Sequence, residues 1–298
     1  MTKTNIKFKT LVGLATVSLF TVSCGQNQQT KIKKNDMLPK EIILNPKISK
    51  ITDSIFIFKD GIKKLETVQI LDLKNGILTH GHRKYFVNDT LNQTTNEKFD
   101  PNGNSIESHT VLHFKNSVQI FRRELDSHGN IIRLASEEDG RISHLEYKNV
   151  YRNNLLAESS VFSPVSGRTI EETKLEYDSR GNLIKEKYKE SENVYEYNDD
   201  NKVTGYKHIK NGVVETKIIY HYNNKLLSKM EWYDSISPNP MITEYFYNSN
   251  NQLISEILRK YAEKTEYKNY DVNNNWQVKE QSSGGAINRL TKRTFVNR

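Results

Sequence analysis

Many segments after about residue 95 show a period of two, with aromatic residues at every second position. The clearest runs are Tyr195-Glu196-Tyr197, Tyr220-His221-Tyr222 and Tyr245-Phe246-Tyr247, each with two tyrosines on one strand face and Glu196, His221 or Phe246 on the other. Side chains two positions apart share one face of a β-strand, whereas a helix repeats every three or four residues. Asn, Asp and Gly cluster between these runs, as strand punctuation requires. The pattern predicts an all-β chain built from short strands.

A turn motif recurs through the same region and divides it into tandem repeats. Each copy has an aromatic or apolar residue, then Asp or Asn, and then Gly or Asn before the next apolar residue. The first residues of the copies are Phe99, Leu125, Tyr147, Tyr177, Tyr197, Tyr222, Tyr247 and Tyr270, at a mean spacing of about 24 residues. Asp or Asn favours an Asx-turn, and Gly or Asn supplies the residue with positive φ.

A second turn lies midway between copies and is clearest at Asn211-Gly212, a sequence that favours a type I′ hairpin. One repeat is therefore predicted to be two antiparallel strands with two turns. About eight such hairpins are expected to form a curved or spiral meander sheet. The sequence leaves open how that sheet closes, including as a partial barrel.

The segment Glu176–Leu183 resembles the YD repeats of Rhs-type proteins, whose unit is close to Tyr-x-Tyr-Asp-x-x-Gly-Asn/Arg-Leu. The whole chain looks like the small YD-repeat lipoproteins of Bacteroidota-type genomes. This resemblance implies β-hairpin sheets that wrap into shells or spirals, and some members are described as carbohydrate-binding. We expect a YD-like repeat domain over residues 96–298 and an N-terminal β cap or degenerate repeat over residues 41–95.

The N-terminus is typical of an export signal, because a basic start precedes an apolar stretch at residues 11–22. The stretch is too short to cross a hydrocarbon core of about 30 Å as a helix. Ser23-Cys24 then resembles the lipobox of bacterial lipoproteins. The resemblance implies that residues 1–23 are a cleaved signal peptide, that Cys24 is lipidated and that residues 24–40 are a flexible tether. A secreted form released by ordinary signal peptidase is the alternative.

The location within the envelope is also taken from that family. Gly25 and Gln26 follow the cysteine and neither is acidic. By analogy with bacterial lipoproteins, this favours the outer membrane over the inner one, and its periplasmic side over the cell surface.

The net charge of +8 at first invites a nucleic-acid interpretation. Most of the excess lies in the signal and the tether, and from residue 41 onward 37 basic residues nearly balance 35 acidic ones. Charges of opposite sign alternate in this part, which is typical of solvated strand faces rather than of a groove that follows phosphates. Nucleic acid is therefore not an expected partner. The single Cys excludes an internal disulfide framework and a thiolate zinc cluster.

Two groups of residues are candidate sites. Aromatic side chains that recur along the strands are candidates for stacking on a sugar, with packing within the sheet as the alternative: Tyr195, Tyr220, Tyr245, Trp232 and Trp276. Three Asp-Ser/Thr-apolar triplets resemble O-glycosylation sites of Bacteroidota exported proteins, at Ser54, Thr90 and Ser235. No motif indicates a metal or cofactor, and the pair His80 and His82 lacks an acidic partner nearby.

We therefore expect an envelope-anchored lipoprotein that acts as a non-catalytic binding or scaffold module for a glycan or an envelope protein. Its membrane contact is the lipid anchor, no cofactor is expected, and the oligomeric state is left open. An enzyme is not expected, because no Walker loop, nucleophile elbow or His-Glu-x-x-His motif occurs. The alternatives are an envelope hydrolase on a β scaffold and an immunity or accessory protein of an Rhs-type toxin system.

Overall fold

The computed structural model describes residues 47–237 and 239–297, with side chains up to residue 296. The first ten strands are β1 (Ile48–Lys59), β2 (Ile62–Lys74), β3 (Ile77–Val87), β4 (Thr90–Phe99), β5 (Ser105–Leu112), β6 (Ser117–Leu125), β7 (Ile131–Glu138), β8 (Arg141–Arg152), β9 (Leu155–Ser163) and β10 (Arg168–Tyr177). The other ten are β11 (Leu183–Lys187), β12 (Ser191–Tyr197), β13 (Val203–Lys210), β14 (Val213–Asn223), β15 (Leu226–Asp234), β16 (Met241–Tyr247), β17 (Leu253–Leu258), β18 (Glu263–Tyr270), β19 (Trp276–Ser283) and β20 (Ala286–Asn297). A short 3-10 turn, Arg259–Tyr261, lies between β17 and β18.

These strands form one closed antiparallel barrel. Each strand pairs with the next along the chain, and β20 pairs back onto β1 with Phe295 opposite Ile51 and Arg293 opposite Asp53. The all-β prediction is confirmed, but the expectation of an open curved or spiral meander is wrong. Local turn signals specify each hairpin, whereas closure depends on a pairing between the two ends of the chain. Closure leaves the sheet no exposed edge that invites further strands.

The barrel includes the segment that fits the repeat poorly. Strands β1 to β4 continue the same meander, so that the barrel consists of twenty strands rather than about eight hairpins, and the assignment of residues 41–95 to a cap or degenerate repeat stays a prediction. Residues 41–46 lie outside the described residues, and the boundary at residue 95 stays a prediction. Among the described residues, no helix has the length and apolar character needed to cross a membrane.

The connections fall on two rims because consecutive strands alternate in direction. We call one of them the Asx rim: it carries the connections that follow even-numbered strands, together with the start of β1 and the end of β20. The connections that follow odd-numbered strands form the opposite rim, which we call the hairpin rim. The Asn211-Gly212 hairpin lies on the hairpin rim, and both of its central residues have positive φ, as predicted for a type I′ turn.

The Asx rim repeats one turn, and its predicted chemistry is confirmed. In the copy at Asp178, Oδ1 accepts hydrogen bonds from the backbone N–H of Arg180 (2.9 Å) and Asn182 (2.8 Å). Gly181 has the positive φ that the turn requires. The same side-chain acceptor recurs at Asp100, Asp126, Asn198, Asn248 and Asp271. The recurrent motif thus encodes a turn that is held by its own first side chain.

These turns make the barrel sensitive to acid. Burial would raise the pKa of Asp126 and Asp178, but the hydrogen bonds that each carboxylate accepts together hold its pKa below the ordinary 3.8. In the unfolded chain these groups take up protons at a higher pH, so stability is complete above about pH 4 and falls as the pH drops through the lowered pKa values. Thermal melting between pH 6 and pH 2.5 is expected to show this loss. Asp178→Asn keeps an acceptor oxygen without the charge and should flatten the profile. If the stability of Asp178→Asn fell with decreasing pH as steeply as that of the wild-type protein, the Asx-turn carboxylate at Asp178 would not be a source of the acid sensitivity.

The two faces of the sheet differ in burial and in charge. One face carries buried side chains such as Leu71, Leu183, Tyr220 and Trp276, and it lines the interior because side chains crowd on the concave face of a closed sheet. The other face carries rows of ion pairs, such as Arg122–Glu107, Lys185–Glu192, Lys207–Glu196, Lys229–Glu231 and Lys268–Glu280. Residues of alternating sign therefore face outward, as the charge pattern predicts.

A row of tyrosines ties each repeat to the one before it. Tyr197 donates its hydroxyl hydrogen bond to the backbone oxygen of Leu183 (2.8 Å), and Tyr222 donates to that of Val203 (2.8 Å). The same bond recurs from Tyr177, Tyr247 and Tyr270. The second tyrosine of the Tyr-x-Tyr pattern thus fixes the start of the preceding strand, which explains why tyrosine, rather than phenylalanine, stands at this position.

The seam between β20 and β1 contains a buried ion pair. Arg293 binds Asp53 through two hydrogen bonds of 2.7 and 2.6 Å, and the side chains are 1% and 4% exposed. The guanidinium also lies 3.9 Å from the centre of the Trp276 ring. A second ion pair, between Arg289 and Glu66, joins β20 to β2. The closure is therefore held by charged groups as well as by the strand pairing.

Candidate binding site in the barrel interior

The interior is wide and has two unlike walls. Twenty strands about 4.8 Å apart and tilted by about 40° enclose a circle about 40 Å across, and barrels of about 16–18 strands already leave an aqueous channel. On β4 to β7 the interior face carries the hydroxyls and amides of Thr95, Ser108, Thr110, Gln119 and Ser136, together with apolar side chains such as Phe121 and the charged Glu97 and Arg123. On β12 to β18 it carries a row of tyrosines, Tyr195, Tyr206, Tyr220, Tyr245 and Tyr267, among other polar and apolar side chains.

These two walls face each other across the barrel. Strands ten apart lie on opposite sides of a twenty-stranded ring, so β5 faces β15 and β7 faces β17. The three buried hydrophobic clusters of the described residues each come from neighbouring strands, and none joins opposite walls. A ligand in the interior would therefore have strands with hydroxyl and amide groups on one side and strands with largely buried tyrosine rings on the other.

A carboxylate surrounded by tyrosines lies beside the aromatic wall. Glu186 on β11 accepts hydrogen bonds at Oε2 from the Tyr195 hydroxyl (3.0 Å) and from Asn193 Nδ2 (2.8 Å). Asn193 Oδ1 in turn accepts from the Tyr206 hydroxyl (3.0 Å) and from His208 Nδ1 (2.9 Å). We call these five residues the Glu186 cluster. Among the described residues, Glu186 Oε1 has no hydrogen-bond partner, so the cluster offers one open acceptor.

The hydroxyls of this region stay protonated. Burial, followed by the charge of Glu186, raises the pKa of Tyr188 to about 12. Burial and then the charge of Glu186 also raise the pKa of Tyr195 and Tyr206. At neutral pH these phenols therefore act as hydrogen-bond donors, Tyr195 to the carboxylate and Tyr206 to Asn193, rather than as acids. The arrangement is suited to binding hydroxyl groups.

The structure places most of the predicted stacking residues in the sheet packing. Tyr195, Tyr220, Tyr245 and Trp276 are between 3% and 9% exposed, and Trp232 is half-buried. Tyr267 packs edge-on against Trp276 with ring centres 5.7 Å apart. This burial agrees with the alternative interpretation, in which these aromatic side chains pack within the sheet. Stacking of a sugar on these rings stays a prediction.

The three predicted glycosylation residues lie apart from the interior, and the predicted lipidation residue Cys24 falls outside the described residues. Ser54 is on the outer face of β1, and Thr90 and Ser235 are exposed on the hairpin rim. Within residues 47–237 and 239–297, no group of three or more His, Cys, Asp or Glu side chains is arranged to hold a metal ion.

Sequence reasoning missed Glu186, Asn193, Tyr206 and His208. Glu186 lies in Lys185-Glu186-Lys187, which looks like a solvated charged face. In the structure, Leu175 pairs with Glu186 and Glu186 with Asn193, and all three side chains lie on the interior face. Assigning that face required the register between three strands, which the sequence alone does not supply.

Comparisons with known proteins find structural neighbours of this chain only at low similarity. No protein-family model matches the chain, and no curated protein matches it significantly. A porin-like protein from Bacteroides uniformis has a similar structure at 10% identity and a TM-score of 0.34, over 85% of this chain and 98% of that one. The TcdB2-TccC3 complex matches at 13% identity and a TM-score of 0.29, over 84% of this chain and 18% of that one. Likeness at this level supports no conclusion about activity or partners.

Proposed function

We propose that the protein is a non-catalytic binding barrel of the bacterial cell envelope that takes a glycan into its interior. The observation that carries this proposal is the Glu186 cluster beside an aromatic wall, opposite a wall of hydroxyls and amides. A sugar has hydroxyl groups around its edge and apolar C–H groups on its faces. Facing walls of those two kinds complement both parts of such a ligand.

The chemistry of the interior favours binding over catalysis. Hydrolysis of a glycosidic bond normally needs two carboxyl groups on either side of that bond. Among the described residues, the hydrogen bonds to Glu186 come from tyrosine and asparagine side chains. Its unpartnered oxygen is suited to accept a hydrogen bond from a sugar hydroxyl, and a bond to a charged acceptor contributes about 1.5–3 kcal/mol.

The envelope part of the proposal rests on the N-terminal sequence, with Cys24 as the lipid anchor and the periplasmic side of the outer membrane as the favoured location. The outer wall of the barrel supports attachment beside a membrane. Its rows of ion pairs differ from the apolar band of a lipid-facing strand, where a charged side chain costs up to about 2–4 kcal/mol. The YD-repeat assignment is part of the proposal and is supported by the recurrent Asx-turns.

The binding proposal is tested by substituting the carboxylate. Binding of soluble hexasaccharides of glucose, xylose and N-acetylglucosamine would be followed by tryptophan fluorescence and calorimetry. Glu186→Gln keeps the size of the side chain and removes its charge, and we expect it to weaken binding of the best hexasaccharide by about tenfold or more. Glu196→Gln on the outer face is the matched control and should leave the affinity unchanged. Equal affinity in both variants, or no binding of any hexasaccharide, would overturn the proposal.

A further inference from the structure

The hairpin rim carries apolar side chains at its turns, where polar residues are the norm. At seven of its ten connections, a large apolar side chain within two residues of the turn is more than half exposed. Among them are Ile62, Phe114, Val165, Val213, Ile236 and Tyr261. On the Asx rim, within the described residues, only Val272 has this exposure at a connection. The barrel therefore has one polar end and one apolar end.

Charged side chains stand next to these apolar tips, among them the acidic Asp60 and Glu263 and three lysines. Lys63 follows Ile62, Lys260 precedes Tyr261, and Lys210 lies three residues before Val213. All three of these lysines are exposed. An end of a protein that combines apolar tips with lysines matches the interfacial region of a bilayer with anionic headgroups, where apolar groups insert and cations meet the phosphates.

The spacing of the tips argues for a bilayer rather than for a protein partner. Neighbouring connections on one rim are two strands apart, which is about 10 Å. The apolar side chains are thus single tips around a ring, whereas a protein interface has a contiguous and closely packed centre. A bilayer surface can accept each tip separately.

We infer that the hairpin rim docks onto the surface of a lipid bilayer that contains anionic headgroups. The tips enter the interfacial region, and the lysines beside them contact the phosphates. This contact is separate from the glycan site and from any acyl chain on Cys24. It would hold the barrel end-on against a membrane, with the Asx rim directed away from that surface.

The test places a fluorescent reporter at single positions of the full chain. Cys24→Ala removes the one cysteine of the protein. In that background Phe114→Cys and Ile236→Cys place a thiol on the hairpin rim, and Val272→Cys is the matched control on the Asx rim. Val272 is 97% exposed and Ile236 is 93% exposed, so the two labels begin in equally aqueous surroundings. Each thiol is labelled with NBD, whose emission shifts to shorter wavelength in an apolar environment.

Vesicles of phosphatidylcholine with phosphatidylglycerol are expected to shift the emission at positions 114 and 236 and to leave position 272 unchanged. The shift should weaken at high salt and with phosphatidylcholine alone. A label reports its own surroundings, so binding through the apolar residues 11–22 would not produce this difference. The inference is overturned if the hairpin-rim labels stay unshifted or if position 272 shifts equally. It is also overturned if the emission of these labels shifts without vesicles when the protein concentration is raised, because such a shift would indicate contact between copies of the protein.

Discussion

Replacing Asp53 with Ala is expected to lower the free energy of unfolding by about 3–5 kcal/mol, because it leaves the buried Arg293 guanidinium without its counter-charge. The two side chains are only 4% and 1% exposed, so water cannot replace the missing carboxylate. Arg293 Nη1 already has no hydrogen-bond partner among the described residues, which adds to the cost of losing the others. Urea unfolding followed by tryptophan fluorescence measures the change.

A double substitution separates the charge from the packing. Asp53→Leu combined with Arg293→Met removes both charges and keeps apolar volume at the seam, and it should recover most of the stability. An exposed pair is the matched control: Glu196→Ala, which breaks the outer-face pair with Lys207, should change stability by at most about 1 kcal/mol. A loss at Asp53 no larger than the loss at Glu196 would show that the buried pair does not secure the closure.

Tyr245→Ala is expected to cost about 3–5 kcal/mol, since it opens a cavity among the side chains of neighbouring strands. Tyr245 is 7% exposed and belongs to a cluster with Tyr220, Leu227 and Leu253. The next residue provides the control. Phe246 points to the outer face, is 41% exposed, and its replacement with Ala should cost about 1 kcal/mol or less. Chemical denaturation of both variants compares two adjacent aromatic residues, and similar losses would mean that the faces have been assigned wrongly.

Local structure is the part of this fold that the sequence predicts. Asp178 and Gly181 specify a turn within six residues, and the alternation at Tyr195 and Glu196 assigns two faces without knowledge of any partner strand. Both signals work because the interactions they encode lie within a few residues. The all-β class and the Asx-turns follow from them.

Closure and the interior site depend on interactions that no short segment encodes. Asp53 and Arg293 are 240 residues apart, and each looks like an ordinary surface charge in its own segment. Glu186 is equally inconspicuous between two lysines. An alternating pattern shows which residues share a face, but it does not reveal whether the sheet curls until its ends meet or which of its two faces then lies inside.

The seam also brings the two ends of the described chain together, with Ile48 opposite Asn297 on the Asx rim. Of the twenty strand pairings, nineteen join neighbours in the chain and one joins its ends. A ring built in this way does not depend on where the chain starts. The two ends of the described chain occupy one gap between hairpins, and joining Ile48 to Asn297 through a short linker while opening another turn would give a circular permutant with the same set of strand pairings.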